Sequence, residues 1–318
     1  MNEPFSMVAL AQEYLDYRRR LGSRLRSEGK MLLAFARYAD RLGHRGPLTT
    51  ELAVRWARSS VKAAPLHPAR RLQVVRGFAR YRAIFDPATE IPPEGLLGPA
   101  QRRTTPHIYS EAELTALLIA AGQLRSPTGL RQHTYATLIG LLSCTGLRIA
   151  EALKLTRGDL DWGQSTLTIR ETKFHKSRLV PLHPTTLRAL ESYARFRDGC
   201  HPSPRTDAFF VSERGTPLPY KTVRITFGKL RAHLPGASSP EGHAPRIYDL
   251  RHSFACQRLL RWYGEGVDLD HAVLALSTYL GHAQVSDTYW YLTGIPELLD
   301  LAAARFERFA APNPGAPL

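Results

Sequence analysis

In the stretch DWGQSTLTIRETKFHKSRLVPL, residues 161–182, Leu167 and Ile169 alternate with Thr166, Thr168 and Arg170. That is the two-residue period of a strand with one buried face. Asp161-Trp162-Gly163 turns the chain into this strand, and RLVPL, beyond the polar loop ETKFHKS, reads as its hairpin partner. Most of the other periodic segments in the 318 residues carry helical spacing. The expected fold is therefore mostly α with a small antiparallel β-sheet.

Upstream of the hairpin, helices are expected at about 110–121 and 130–143, and Ser110 with Glu113 forms a capping box. TGLRIAEALKL then reads as a glycine turn feeding a helix. Downstream, residues 184–197, 220–233 and Asp249 to Tyr263 read as helices, and Ala208–Val211 as a short apolar run. A last amphipathic helix, 296–309, carries Leu298, Ala302, Phe306 and Phe309.

The first third is helical throughout. Helices are expected at 5–21, 27–43, over ELAVRWARSS behind a Thr49 or Thr50 cap, and at about 68–85. From Asp86 to Pro106 the chain turns to proline and glycine, which reads as a linker. The expected division is a helical domain at 1–100, a linker at 101–109, a second domain at 110–310 and a disordered tail at 311–318.

Charge narrows the partner. The chain carries 43 Lys and Arg against 28 Asp and Glu, a net +15 with a pI near 10.1. Residues 1–106 hold 19 of the basic and 9 of the acidic residues, so +10 of the +15 lies there. Arg18, Arg19, Arg20, Arg24 and Arg26, then Arg70, Arg71, Arg76, Arg80 and Arg82, crowd the polar helix faces. Such an excess points to a polyanion, nucleic acid before an anionic membrane. A membrane partner is not expected: there is no lysine-rich amphipathic tail, no lipidation signal and no apolar run of about 18 residues. MNEPFSMVALAQEYL lacks the layout of a signal peptide. Cys144, Cys200 and Cys256 show no paired spacing and read as reduced thiols of a cytosolic protein.

The segment TYLGHAQVSDTYWYLTG, residues 278–294, holds the remaining chemistry. On one unbroken helix His282 and Tyr291 point to nearly opposite faces, because nine residues at about 100° return half a turn. A cap at Ser286 or Asp287 resets the phase, and two short helices then aim both side chains at one point. Tyr279, Tyr289 and Trp290 read as packing aromatics.

Four motifs stand in order: TGLR at Arg148, TKFHKSRLVPL with Lys173, YDLRH with Arg251, and Leu280-Gly281-His282 followed nine residues after His282 by Tyr291. Together they resemble the tyrosine recombinase (phage integrase) family, including Xer and Cre recombinases and the integrases of mobile elements. The resemblance covers about 107–310 as an α+β catalytic domain, and the helical first domain resembles the family's DNA core-binding domain.

The resemblance implies a role for each residue. Tyr291 is the nucleophile that forms a 3′-phosphotyrosyl link, and Arg148 and Arg251 bind the non-bridging phosphate oxygens. Lys173, with Lys176 as its rival, is the acid for the 5′ leaving oxygen. His282 donates to the phosphate or holds the tyrosine. Glu151 is a supporting carboxylate, and His252 is structural. The chemistry is sound, since guanidinium forks bind phosphate bidentately and stay charged. One position departs from the pattern: Tyr248 stands where the family usually has histidine, so proton removal from Tyr291 falls to the cationic pocket or to another base such as His243.

The resemblance further implies site-specific recombination of double-stranded DNA through a Holliday junction. The expected assembly is a homotetramer on two synapsed sites, alone or with related recombinases, in a bacterial cytoplasm at the nucleoid. No cofactor and no metal are expected, because the phosphotyrosyl bond conserves the energy. A type IB topoisomerase-like enzyme and a DNA-binding protein that has lost catalysis are the alternatives.

Overall fold

The computed structural model describes residues 6–60, 65–101, 105–170, 177–234, 244–282 and 284–292. The expected helix at 296–309, the tail at 311–318, Lys173, Lys176 and His243 lie outside them. The chain divides into two compact units, Met1–Thr104 and Thr105–Leu318.

The first unit is built from α1 (Met7–Arg20), α2 (Arg26–Arg41), α3 (Thr50–Arg58) and α4 (His67–Arg82). Leu32, Phe35, Ala36 and Ala39 of α2 meet Met7, Ala11 and Leu15 of α1, Trp56 of α3, and Leu72, Val75 and Phe78 of α4 in one buried core. Asp40 ties α1 to α2 by accepting from the Met7 and Val8 amides at 2.8 and 3.1 Å, an anion at the positive end of a helix. Thr49 caps α3 by accepting from the Leu52 amide.

The proline-rich stretch that reads as a linker lies on this unit as far as Gln101. Arg76 donates to the Pro92 and Pro93 carbonyls, Arg70 to Ala100, and Arg80 pairs with Glu94 at 2.8 Å. Arg71 stacks on Trp56 at 3.8 Å. Most arginines named on α4 are thus engaged within the unit, whereas Arg19, Arg20, Arg24 and Arg26 are exposed.

The second unit opens with Tyr109, fully buried and tied by its amide to Ser253 and by its hydroxyl to the Arg246 carbonyl. The Ser110–Glu113 capping box starts α5 (Glu111–Gly122). α6 (Leu130–Thr145) runs to Gly146, whose φ of +61° ends it; a Cβ there would collide with the Phe254 ring. α7 is one turn, Ile149–Ala152.

Three strands follow, not two: β1 (Leu160–Asp161), β2 (Thr166–Ile169) and β3 (Arg178–Pro181), antiparallel in the order β1-β2-β3. Leu167 faces Val180 across the ladder, and both are fully buried. α8 (Pro184–Cys200), α9 (Tyr220–Leu230), α10 (Asp249–Gly264), α11 (Leu269–Leu280) and α12 (Ser286–Leu292) complete the described chain. The sheet shares a core with α5, α6, α8 and α9, while Phe254, Leu259, Val273, Leu276, Leu280 and Tyr291 form a second cluster. No helix among the described residues is long and apolar enough to cross a membrane.

Candidate active site

Arg148 is the residue that caps α7. Its amide donates to Glu151 Oε2 at 3.0 Å and its guanidinium to Oε1 at 2.8 Å. A third bond, to the Gly281 carbonyl at 3.3 Å, joins this turn to the chain after α11.

The other side of Glu151 is held by a residue to which the motifs assign no role. Arg178, at the start of β3, donates to both carboxylate oxygens at 2.9 and 3.2 Å. Burial alone would raise the Glu151 pKa, but bonds and charge from Arg178, then from Arg148, outweigh it and hold the carboxyl at about 2. A signal was present in the strand. Alternation puts Arg178 on the same face as buried Val180, and a charge on a core face needs a partner.

Arg251 is buried to 1% exposure and has no carboxylate against it among the described hydrogen bonds. Instead it donates to the carbonyls of Gly146 and Leu280, each at 2.8 Å. These carbonyls close α6 and α11, so two negative helix ends face the guanidinium. Burial, then the Arg148 charge, lowers its pKa from the ordinary arginine value.

Gly281 ends α11 with φ +67°, and α12 begins at Ser286 itself, so the phase is reset between them. Ser286 and Asp287 lie inside α12 rather than capping it, but the break still lets the two side chains converge: the His282 and Tyr291 rings stack with centroids 5.9 Å apart at 24°. His282 Nδ1 lies 2.7 Å from the Thr288 hydroxyl. Burial, then Arg251 and Arg148, lowers the imidazole to about 4. It is neutral at pH 7, and when Nδ1 accepts from Thr288 its proton is kept on Nε2.

Tyr291 is only 4% exposed. Burial pushes its phenol up, against the opposing pull of the Arg251 charge. His252 meets it edge-on at 5.2 Å and meets Tyr248 in the same way at 5.2 Å. Tyr248 is 43% exposed, at the start of α10. Tyr289 is 44% exposed and stands outside the buried cluster, and Tyr279 stacks on Phe254 at 5.7 Å. Of the residues expected at the site, the structure brings together Arg148, Glu151, Arg251, His282 and Tyr291, with Tyr248 at the rim. Lys173 lies outside the described residues.

Residues 109–294 match the model of the phage integrase family. The chain belongs to that family. It is 43% identical over 301 residues to y4rB of Sinorhizobium fredii, named as an integrase/recombinase, across 93% of this chain and 96% of that one. The tyrosine recombinase XerC of Mesorhizobium japonicum is 34% identical across 63% of this chain and 59% of its own. The fold is shared with the Tn1549 transposon integrase, solved with transposon right end DNA, at a TM-score of 0.67 and 19% identity over 96% and 100% of the two chains. It is also shared with lambda integrase, solved as a tetramer bound to a Holliday junction, at 0.56 and 18% over 90% and 78%. This phage integrase family member is mostly helical with one small antiparallel sheet, and it is a tyrosine recombinase.

Proposed function

We propose that this recombinase cuts and rejoins duplex DNA at specific sites through Tyr291. The observation that carries the assignment is the convergence of two guanidiniums, a neutral imidazole and a buried phenol from α7, α10, α11 and α12.

Tyr291 Oη attacks the phosphorus, the bond to the 5′ oxygen breaks, and a 3′-phosphotyrosyl ester forms. Arg148 and Arg251 neutralise the charge growing on the non-bridging oxygens, where fixed donors stabilise the transition state most. Neutral His282 donates from Nε2 to the same phosphate. Lys173 supplies the proton that the departing 5′ oxygen needs. Attack by a 5′ hydroxyl on the phosphotyrosyl ester reverses these steps and seals the new joint, so the bond energy is conserved and no nucleotide is consumed. Glu151, clamped between Arg148 and Arg178, orients the first guanidinium.

The basic helical unit, 1–104, grips the phosphate backbone, and four protomers pair two sites through a Holliday junction. The test is a nicked suicide duplex, on which the tyrosine adduct should accumulate and map to Tyr291. Recombination should require two sites, and relaxation of a plasmid without a site would instead mark topoisomerase behaviour. A 5′-thio leaving group should rescue Lys173→Ala, since it departs without an acid. Rescue of Lys176→Ala alone would move that role to Lys176.

A further inference from the structure

The proton on Tyr291 has no acceptor among the residues to which the resemblance assigns a catalytic role. Tyr248 carries a phenol hydroxyl in place of a basic ring nitrogen that could take up the proton. His282 already has Nδ1 against Thr288 and is read as a donor to the phosphate.

Among the described residues, one other imidazole packs against the Tyr291 ring. The His252 ring lies edge-on to Tyr291 and edge-on to Tyr248, with both centroid distances 5.2 Å. Its Nδ1 is buried and has no hydrogen-bond partner among the described residues. A buried ring nitrogen left unmatched is costly, and it tends to be kept where a partner arrives during function. The groups facing the ring are Asp249 and Arg251 on α10, Tyr248 at its N-cap, Arg246 just before it, and Tyr291 from α12. Burial dominates among their effects and keeps the ring neutral, with its pKa lowered to about 4.

Resting on the assignment of Tyr291 as nucleophile, we propose that His252 is the general base of the cleavage step. As the Tyr291 Oη–P bond forms, the Oη–H bond breaks and its proton passes to the free imidazole nitrogen. When the phosphotyrosyl ester is resolved, the same proton returns to the phenolate. A base weaker than phenolate suits such a concerted transfer, because the phenol becomes strongly acidic only as its oxygen bonds to phosphorus. The phosphate also brings negative charge beside Arg251, which favours the transient imidazolium. Tyr248 also meets the ring edge-on, beside Tyr291, and helps to hold it in place.

The experiment measures single-turnover adduct formation on the suicide duplex between pH 6 and 9, using the full chain and its His252→Ala and His252→Asn variants. Loss of a general base is expected to slow adduct formation by roughly 10²-fold or more, with DNA affinity unchanged. Added imidazole should restore part of the rate in His252→Ala. In a Tyr248→His background, His252→Ala should cost far less, because a second acceptor then borders the phenol. His252→Asn keeps polarity and approximate size, so it separates lost base from lost packing. The proposal is overturned if either variant cleaves at the wild-type rate. It is equally overturned if the loss is as deep with Tyr248→His and is untouched by imidazole. An adduct that survives Tyr291→Phe would instead unseat the nucleophile and leave His252 without a role.

Discussion

Glu151 and Arg178 are joined by two hydrogen bonds, 2.9 and 3.2 Å long, with both side chains largely buried. The pair fixes the carboxylate that in turn positions Arg148. Arg178→Lys keeps the charge but loses the two-pronged fork, so it should slow adduct formation while leaving DNA affinity nearly intact. Arg178→Ala strands a buried carboxylate and should cost roughly 3–5 kcal/mol of stability as well. Thermal unfolding alongside the suicide-substrate assay checks both. Wild-type cleavage by the lysine variant would remove Arg178 from the positioning scheme.

Gly281 is placed where a side chain has no room. Its φ is +67°, and a Cβ would sit 2.9 Å from Arg178 Nη1. Gly281→Ala should cost about 1–2 kcal/mol from backbone strain alone. It should also push Arg178 from Glu151 and so slow cleavage more than a mildly destabilising change elsewhere. A Gly43→Ala control has φ +68° but nothing within 4 Å. If the two variants lose stability and activity equally, the Arg178 contact is irrelevant.

Tyr291 and Tyr289 lie two residues apart on α12 but differ in burial, 4% against 44% exposed. Tyr291→Phe should abolish the covalent adduct and leave DNA binding unchanged, whereas Tyr289→Phe should cleave normally. The opposite pattern in a denaturing gel would move the nucleophile to Tyr289.

Stability should fall on mild acidification. Free imidazole titrates near 6.5, while His252 and His282 are held at about 4 in the fold. Between those values the unfolded chain binds more protons, so stability is full above pH 6.5 and is lost as pH drops toward 4. Glu151 acts lower. Its folded pKa is about 2 against an ordinary 4.5, so its contribution is present above 4.5 and lost as pH falls toward 2. His252→Gln and His282→Gln should each flatten the decline in melting temperature between pH 7 and 4.5. A slope identical to wild type in both variants would contradict the buried neutral imidazoles.

The exposed arginines of the first unit should show in the salt dependence of binding. Arg24 and Arg26 are free of the segment that occupies α4's arginines. Replacing both by glutamine should reduce the log–log salt slope by about 0.9 for each phosphate that is no longer neutralised. An unchanged slope in a DNA titration over a range of salt would mean that other side chains hold the phosphates.

The sequence by itself determined the local elements and the chemical class. Alternation of Leu167 and Ile169, helical spacing around Phe35 and Phe78, and the Ser110–Glu113 box are local signals, and local hydrogen bonding realises them. The order of Arg148, Arg251, His282 and Tyr291 likewise named the family. It did not disclose β1, a two-residue strand too short to show a period, nor that Asp86–Gln101 folds along α4. Only the tertiary structure decided what surrounds each reactive group. Arg251 meets the Gly146 carbonyl across 105 positions and Leu280 across 29, and Arg148 meets Gly281 across 133. The same long-range packing gave Glu151 its second arginine and placed the neutral His252 against Tyr291. Burial and partner charge set the protonation of these groups; the burial is fixed by which distant segments meet, while some of the charges, such as Arg148 beside Glu151 and Asp249 beside His252, are neighbours along the chain.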